Sequence, residues 1–354
     1  MENGAAPQFL NAARDPRRAA RYASPMTDLI AIHEAELVAA CAALKRGEVV
    51  GLPTETVYGL AGDARNGEAL ARIFATKRRP ADHPLIVHLA EASAIDDWAR
   101  AIPPAARRLA AAFWPGPLTL ILKRAPHVLD LVTAGQDSIG LRVPNHALAL
   151  ELLRRFGGGL AAPSANRFGH VSPTTAQHVR DEFGDAVPIV LDGGPSRIGI
   201  ESTIVDLSTD SARILRPGQI GPDAIARVLG APVAIGAQTS SPRVSGSLAS
   251  HYAPDTPAER VPRERLDSVI RSALGGGETI RVLALRHLPD GVHGLVMPNE
   301  PEPYARHLYA ALRTLDAEGA ERLLIELPPD TPEWFAVHDR IARATVAPSD
   351  DDAP

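Results

Sequence analysis

The sequence predicts an α/β protein: a larger domain on a mixed, twisted sheet, a linker, and a smaller α/β domain. Three observations carry this reading. Between residues 29 and 229, short apolar runs bounded by Gly and Pro alternate irregularly with amphipathic stretches. Several of those runs are apolar on both faces, as strands covered by helices on both sides must be. From Gly230 to Pro262 the composition shifts to Pro, Ser, Gly, Ala and Thr without usable periodicity, and strand and helix signals then resume in the manner of a small βαβ unit. A length of 354 residues fits two domains better than one. The expected division is a disordered extension (1–27), the larger domain (28–229), the linker (230–262), the smaller domain (263–346) and a tail (347–354).

The elements follow in order. The extension is rich in Ala, Arg and Pro and has no apolar segment of the signal-peptide kind. Residues 29–46 read as one amphipathic helix stopped by Gly47, with Cys41 on its apolar face beside Leu37, Val38 and Leu44. Residues 49–52 form a buried strand ended by Pro53. A turn dense in hydroxyls follows (Thr54, Glu55, Thr56, Tyr58). A short helix over 68–76, apolar at Leu70, Ile73 and Phe74, delivers Lys77, Arg78 and Arg79. Pro80 blocks further helix, and a strand over 85–89 carries His88. One β–turn–α–β unit thus gathers hydroxyls, a cationic cluster and a histidine, which suits a small polar substrate beside a polyphosphate.

Pro103 and Pro104 open the next helix, broken by Pro115-Gly116-Pro117. Strands are predicted at 118–123, 138–144 with Arg142 near the end, 160–166 and 188–194, with helices at 146–156 and 173–183. Residues 201–207 and 212–218 read as a strand pair, and a helix over 222–229 closes the domain. The linker holds Arg243, Ser245, Ser247, His251 and Tyr252. Beyond it, strands are expected at TIRVLAL, GLVMP and ERLLIEL, with helices over 304–318 and from about 333 to 344.

Composition excludes several classes. Hydrophobic content of 45% with 22% charged residues is ordinary for a globular protein in water. A net charge of −5 argues against coating nucleic acid, though not against a local basic groove. The single cysteine rules out an intramolecular disulfide and a zinc ribbon and fits a reducing compartment, so a cytoplasmic location is expected. No apolar run approaches the ~20 residues of a membrane span. The phosphate-loop and dinucleotide-binding glycine signatures are missing.

Only Lys45, Lys77 and Lys123 are lysine among 37 basic residues. Lys77 stands inside an Arg-rich cluster. An ammonium is a point charge and a guanidinium a planar fork, so the two differ at a reacting phosphate. Four segments end strands in polar groups: Thr54/Thr56, Arg142, Ser164/Asn166 and Glu201/Ser202/Thr203. Ligands gather at strand ends in α/β sheets, so convergence on one crevice is expected. Each group alone would serve equally as a turn or cap.

In this order and at these separations, PTETVYGL, K-x-R-P with PLIVH, WPGPLTLIL, GLRVP, APSAN with SPT, DGG with ESTIVD, and LRPG resemble the threonylcarbamoyl-AMP synthases. HYAP at 251–254, YARHLYAALRTLD and AVHDRIARA resemble the longer two-domain form, called Sua5. There Pro332-Glu333-Trp334-Phe335 replaces a glycine-rich turn. The resemblance covers roughly 30–346. It implies a YrdC-like catalytic domain followed by a Rossmann-like Sua5 domain, with the linker lying over the active site as a lid.

The implied activity is that of a nucleotidyltransferase joining L-threonine, bicarbonate or CO2, and ATP into threonylcarbamoyl-AMP and pyrophosphate, with Mg2+. This is the first step of the t6A modification of tRNA, and the product passes to the tRNA threonylcarbamoyltransferase complex. By resemblance, Lys77, Arg79, Ser164 and Asn166 are catalytic. Thr54 or Thr56, His88, Arg142, Ala162 and Ser202 hold threonine. ATP lies against Lys77, Arg79, His83, Ser138, Ser164, Ser172, Arg216 and Tyr252, and His83 stands where many relatives have Asn. The alternative is a non-catalytic protein of the same fold that binds double-stranded RNA. The related carbamoyltransferases of hydrogenase maturation carry Cys-rich zinc modules, which one cysteine excludes.

Overall fold

The computed structural model describes residues 25–209, 211–246 and 251–345. Residues 1–24 of the predicted extension, Ser247 and the 347–354 tail lie outside the described residues. The predicted 29–46 helix is two helices, α1 (Pro25–Ile32) and α2 (Glu34–Lys45). They part at His33, whose Nδ1 bonds the Leu29 carbonyl, and α1 takes in residues 25–27, assigned above to the extension. Leu37, Cys41 and Leu44 share a buried face at i, i+4 and i+7. Val38, one residue out of that phase, is exposed, contrary to expectation.

The hydroxyl-rich turn is the loop of a hairpin. β1 (Val50–Leu52) pairs antiparallel with β2 (Gly59–Asp63), Leu52 opposite Gly59. The sequence reading missed β2 because GLAGD carries no β-branched or aromatic residue. Next come α3 (Gly67–Lys77), β3 (Ile86–His88), α4 (Pro104–Phe113), β4 (Leu118–Lys123), the one-turn α5 (Asp130–Thr133) and β5 (Ser138–Arg142). Then follow α6 (Ala147–Phe156), β6 (Leu160–Ala161), α7 (Ala176–Phe183), β7 (Thr203–Asp206), β8 (Arg213–Arg216), α8 (Pro222–Leu229) and β9 (Ala234–Ile235). These strands form one mixed sheet in the order β1-β2-β6-β3-β5-β4-β7-β8-β9. Two predicted strands shrink. β6 keeps only Leu160 and Ala161 of 160–166, with one further bridge from Ser164 to Gly59 in the same register, and 188–194 contributes only a bridge from Val190 to Gly51.

The linker is more ordered than its composition suggested. Its start gives β9 to the first sheet, and its end gives β10 (Ala258–Val261) to the second. The second domain continues with α9 (Leu266–Gly275), β11 (Ile280–Ala284), β12 (Gly294–Val296), α10 (Pro301–Asp316), β13 (Arg322–Glu326) and α11 (Phe335–Ala344). Its sheet runs β10-β13-β11-β12, parallel throughout, as expected of a Rossmann-like unit. A single 3-10 turn, Pro332–Trp334, leads into α11 where the glycine-rich turn was not found.

One apolar cluster of the large sheet includes Leu60, Leu70, Ile73 and Leu120, and another joins Leu37 and Leu44 to Leu148, Leu152 and Leu191. A third crosses the domain boundary. Tyr304, Leu308, Leu312, Ile325 and Ile341 pack with Val57, Val171 and Ile200 of the first domain and with Tyr252 of the linker. The domains share a core, and that core lies directly behind the hairpin loop.

Candidate active site

Each half of the site follows from a local device. Asn66 caps α3 by accepting from the N–H groups of Glu68 and Ala69, and Arg78 ends it in the left-handed region at φ 50°. That reversal buries Lys77 and Arg79 on the protein side and leaves Arg78 in solvent. Lys77 Nζ donates to the carbonyl oxygens of Ser164 (2.6 Å) and Asn166. Arg79 Nη2 donates to the Pro84 carbonyl and to Ser245 Oγ, both at 3.1 Å. Burial, then neighbouring Arg79, pushes the Lys77 ammonium well below its ordinary value, and burial brings Arg79 down to about 10.

In the hairpin loop, Thr54 Oγ1 donates to the Val57 carbonyl at 2.6 Å and lies 2.8 Å from Thr56 Oγ1. With Thr54's proton so committed, Thr56 is the donor of that pair and keeps acceptor lone pairs free. The β3–β5 register sets His88 opposite Arg142 at the strand ends. Arg142 Nη2 lies 2.8 Å from Glu55 Oε1 in a buried ion pair that is off the hydrogen-bond direction, and its Nε donates to the Gly116 carbonyl. Burial, then Arg142, lowers His88 to about 3, and its Nδ1 has no partner. Ser202 Oγ accepts from Arg216 Nη2 and lies 2.8 Å from Thr119 Oγ1.

Thr54, Thr56, Arg79, His88, Arg142, Ala162, Ser164, Ser202, Arg216 and Tyr252 line one crevice, with Glu201, Ser245, Gly246 and His251. Gly59 lets the loop approach closely, since a Cβ there would lie 3.2 Å from that of Ala162. Four predicted nucleotide residues stand apart. Lys77 reaches the crevice wall through the Ser164 carbonyl. Ser172 sits behind the wall, its Oγ donating to Glu201 Oε1 at 2.6 Å. Ser138 lines an adjoining recess with Arg243 and Ser245. His83 packs at 4.9 Å against Phe168. Asn166 is turned inward, with Nδ2 donating to the Arg167 and His170 carbonyls. Sequence reasoning missed Thr119 altogether, and also Tyr309 and Arg340 of the second domain, which reach Glu201 from behind.

The buried histidine has a consequence for stability. His88 in the unfolded chain takes up a proton near pH 6.5, whereas the folded protein resists until about 3. Its contribution is therefore full above pH 6.5 and is lost as pH falls toward 3, by roughly 2 kcal/mol at pH 5. Denaturant midpoints are expected to fall between pH 7.5 and 5, with a shallower fall in His88→Asn. Equal pH slopes in the two proteins would refute this assignment.

Strand ends that converge on one covered crevice, backed by a second parallel-sheet domain, define a two-domain α/β enzyme. The chain belongs to the threonylcarbamoyl-AMP synthase family. The family model Sua5_yciO_yrdC, described as "Telomere recombination", matches residues 42–218, and the model of the threonylcarbamoyl-AMP synthase C-terminal domain matches 220–346. The threonylcarbamoyl-AMP synthase of Bacillus subtilis is 37% identical, covering 92% of this chain and 97% of that protein. That of Pyrococcus abyssi is 35% identical, covering 89% and 95%. The crystal structure of P. abyssi Sua5 complexed with L-threonine aligns with a TM-score of 0.83 at 34% identity, over 87% of this chain and 94% of that one. Among the described residues, no helix is long and apolar enough to cross a membrane.

Proposed function

We propose that this protein is a threonylcarbamoyl-AMP synthase, a nucleotidyltransferase that forms L-threonylcarbamoyladenylate and pyrophosphate from L-threonine, bicarbonate or CO2, and ATP. Its product feeds the t6A modification of tRNA through a threonylcarbamoyltransferase complex. The observation that carries the reading is that Thr56, His88, Arg142, Arg79, Ser164 and Arg216 line a single crevice. Arg142 takes the threonine carboxylate, exchanging part of its pairing with Glu55 for a ligand of the same charge. Thr56, Ser202, His88 and the Ala162 carbonyl hold the amine and side chain. His88 is too weak a base to strip an ammonium, so it positions the amine rather than deprotonating it.

The neutral amine bonds to CO2 and sheds a proton to solvent, giving a carbamate. A carbamate oxygen then bonds to the α-phosphorus of ATP as the bond to the bridging oxygen breaks and pyrophosphate leaves. Lys77 and Arg79 stabilise the charge that gathers on the phosphoryl oxygens. In the free protein the Lys77 ammonium is held at a cost, and an incoming polyphosphate restores its preference for the charged form. Ser164 and Asn166 hold the Lys77 end of the loop, His83 and Ser138 border the nucleotide, and Ser172 braces the wall through Glu201. Mg2+ would arrive with ATP and supply charge neutralisation there. Glu201 of the crevice lining and Glu55 beside Arg142 are each committed to a guanidinium.

The linker is the lid of this site. The crevice encloses only about 40 Å³, far below the ~300 Å³ or more of a cleft for a drug-sized ligand. Ser245, Gly246, His251 and Tyr252 must therefore move outward to admit ATP. Closure afterwards keeps water from a labile mixed anhydride. The decisive experiment is pyrophosphate release with threonine, bicarbonate and Mg2+ each omitted in turn. Release is expected only in the complete mixture, which should also slow protease cleavage within 230–262. Equal release without threonine would overturn this reading, and RNA affinity with no turnover would replace it with the RNA-binding alternative.

A further inference from the structure

Arg340 is a fully buried arginine on the second domain's last helix, α11, and all its partners but one belong to the first domain and the linker. Its Nε donates to Glu201 Oε2 at 2.8 Å, its Nη2 to the Pro217 carbonyl at 2.9 Å, and its Nη1 pairs with neighbouring Asp339. The guanidinium carbon lies 5.4 Å from the ring centre of Tyr252, and that ring lies 5.6 Å from Tyr309. Tyr309, from α10, adds a hydrogen bond to the same Glu201 oxygen at 2.9 Å, while Ser172 fills the other.

The two backbone positions braced in this way flank the crevice wall. Glu201 directly precedes Ser202, and Pro217 directly follows Arg216. Those two wall residues are themselves joined, with Arg216 Nε donating to the Ser202 carbonyl and Nη2 to its hydroxyl. One planar fork therefore spans the start of β7, the end of β8 and the lid tyrosine. A single ion pair with Glu201 would have served stability alone, and buried pairs of that kind are often close to neutral against apolar replacements.

We propose that Arg340 is a positioning residue for the first domain's site: docking of the second domain inserts its guanidinium so that Ser202, Arg216 and Tyr252 take their binding arrangement together. The proposal rests on the synthase reading above for its substrates. It gives the second domain, none of whose residues beyond the linker lines the crevice, a set of contacts through which to act on it.

The test uses the full-length protein with Arg340→Met, Arg340→Lys and the double variant Glu201→Gln/Arg340→Met. KM for threonine and ATP, kcat, melting temperature and L-threonine affinity by calorimetry are measured for each. Arg340→Met is expected to lose about 30-fold or more in kcat/KM, with both KM values raised. The double variant removes the unpaired Glu201 charge, so its melting temperature should recover while kcat/KM does not. Arg340→Lys should melt near wild type yet keep the raised KM values, because an ammonium cannot span Glu201, Pro217 and the Tyr252 face. If activity recovers in step with stability in the double or lysine variant, or stays within about threefold of wild type in folded Arg340→Met, the positioning role is wrong. If Arg340→Met does not fold, the other two variants decide. Wild-type protein without threonine-dependent turnover would overturn the substrate reaction, whereas threonine affinities compared between wild type and variants would still read the positioning.

Discussion

Lys77→Ala is expected to lower threonine-dependent pyrophosphate release by roughly 10²–10³-fold, the usual loss when one preorganised donor to a developing charge is removed. Lys77→Arg should lose nearly as much. Nζ sits between the Ser164 and Asn166 carbonyls, and a guanidinium has neither the point charge nor the room to replace it there. Arg78→Ala should stay within about threefold of wild type, since its side chain leaves a left-handed cap toward solvent. Steady-state kinetics on the three variants, with circular dichroism to confirm folding, checks the set. Wild-type activity in Lys77→Arg would contradict the argument, as would an Arg78→Ala defect equal to that of Lys77→Ala.

Arg142→Gln should raise KM for threonine by about 100-fold, the equivalent of two charge-assisted hydrogen bonds to the substrate carboxylate. KM for ATP should change far less. The same change strands Glu55, which is 2% exposed and, among the described residues, forms its ion pair with Arg142. A stability loss of roughly 3–5 kcal/mol is expected with it. Adding Glu55→Gln should return the stability without returning threonine affinity. Threonine titrations and urea midpoints on the single and double variants separate the two effects, and an unchanged threonine KM would remove Arg142 from the substrate.

Much of the site was legible because its residues sit at positions with strong local signals. Pro53, Pro80 and the Pro115-Gly116-Pro117 break mark where strands and helices stop, and the polar groups stand just beyond those stops. The register of β3 against β5 then had little freedom, since both strands are buried and a one-residue slip would turn His88 and Arg142 into the wrong face. Weak signals misled in equally local ways. β2 was invisible behind its glycines, and the strand predicted over 160–166 is interrupted after Ala161, Pro163 having no N–H for the ladder, with only Ser164 still bridging Gly59.

The sequence by itself determined the α/β class, the order of most elements and the set of groups that converge on the crevice. All of these rest on periodicity, on Gly and Pro punctuation and on quoted motifs, which are properties of neighbouring residues. Which of those groups face the crevice and which brace it was decided only in three dimensions. Ser172 and Asn166 point away from the crevice because Glu201 and the 167–170 loop offer them buried acceptors from distant or returning chain. Arg340 shows the same limit most sharply. In AVHDRIARA it is an arginine on the apolar stripe of Val337, Ile341 and Ala344, a flag that something unusual is buried there. Its partner, Glu201, lies 139 positions away, and a helix pattern carries no information about what the other domain presents to it.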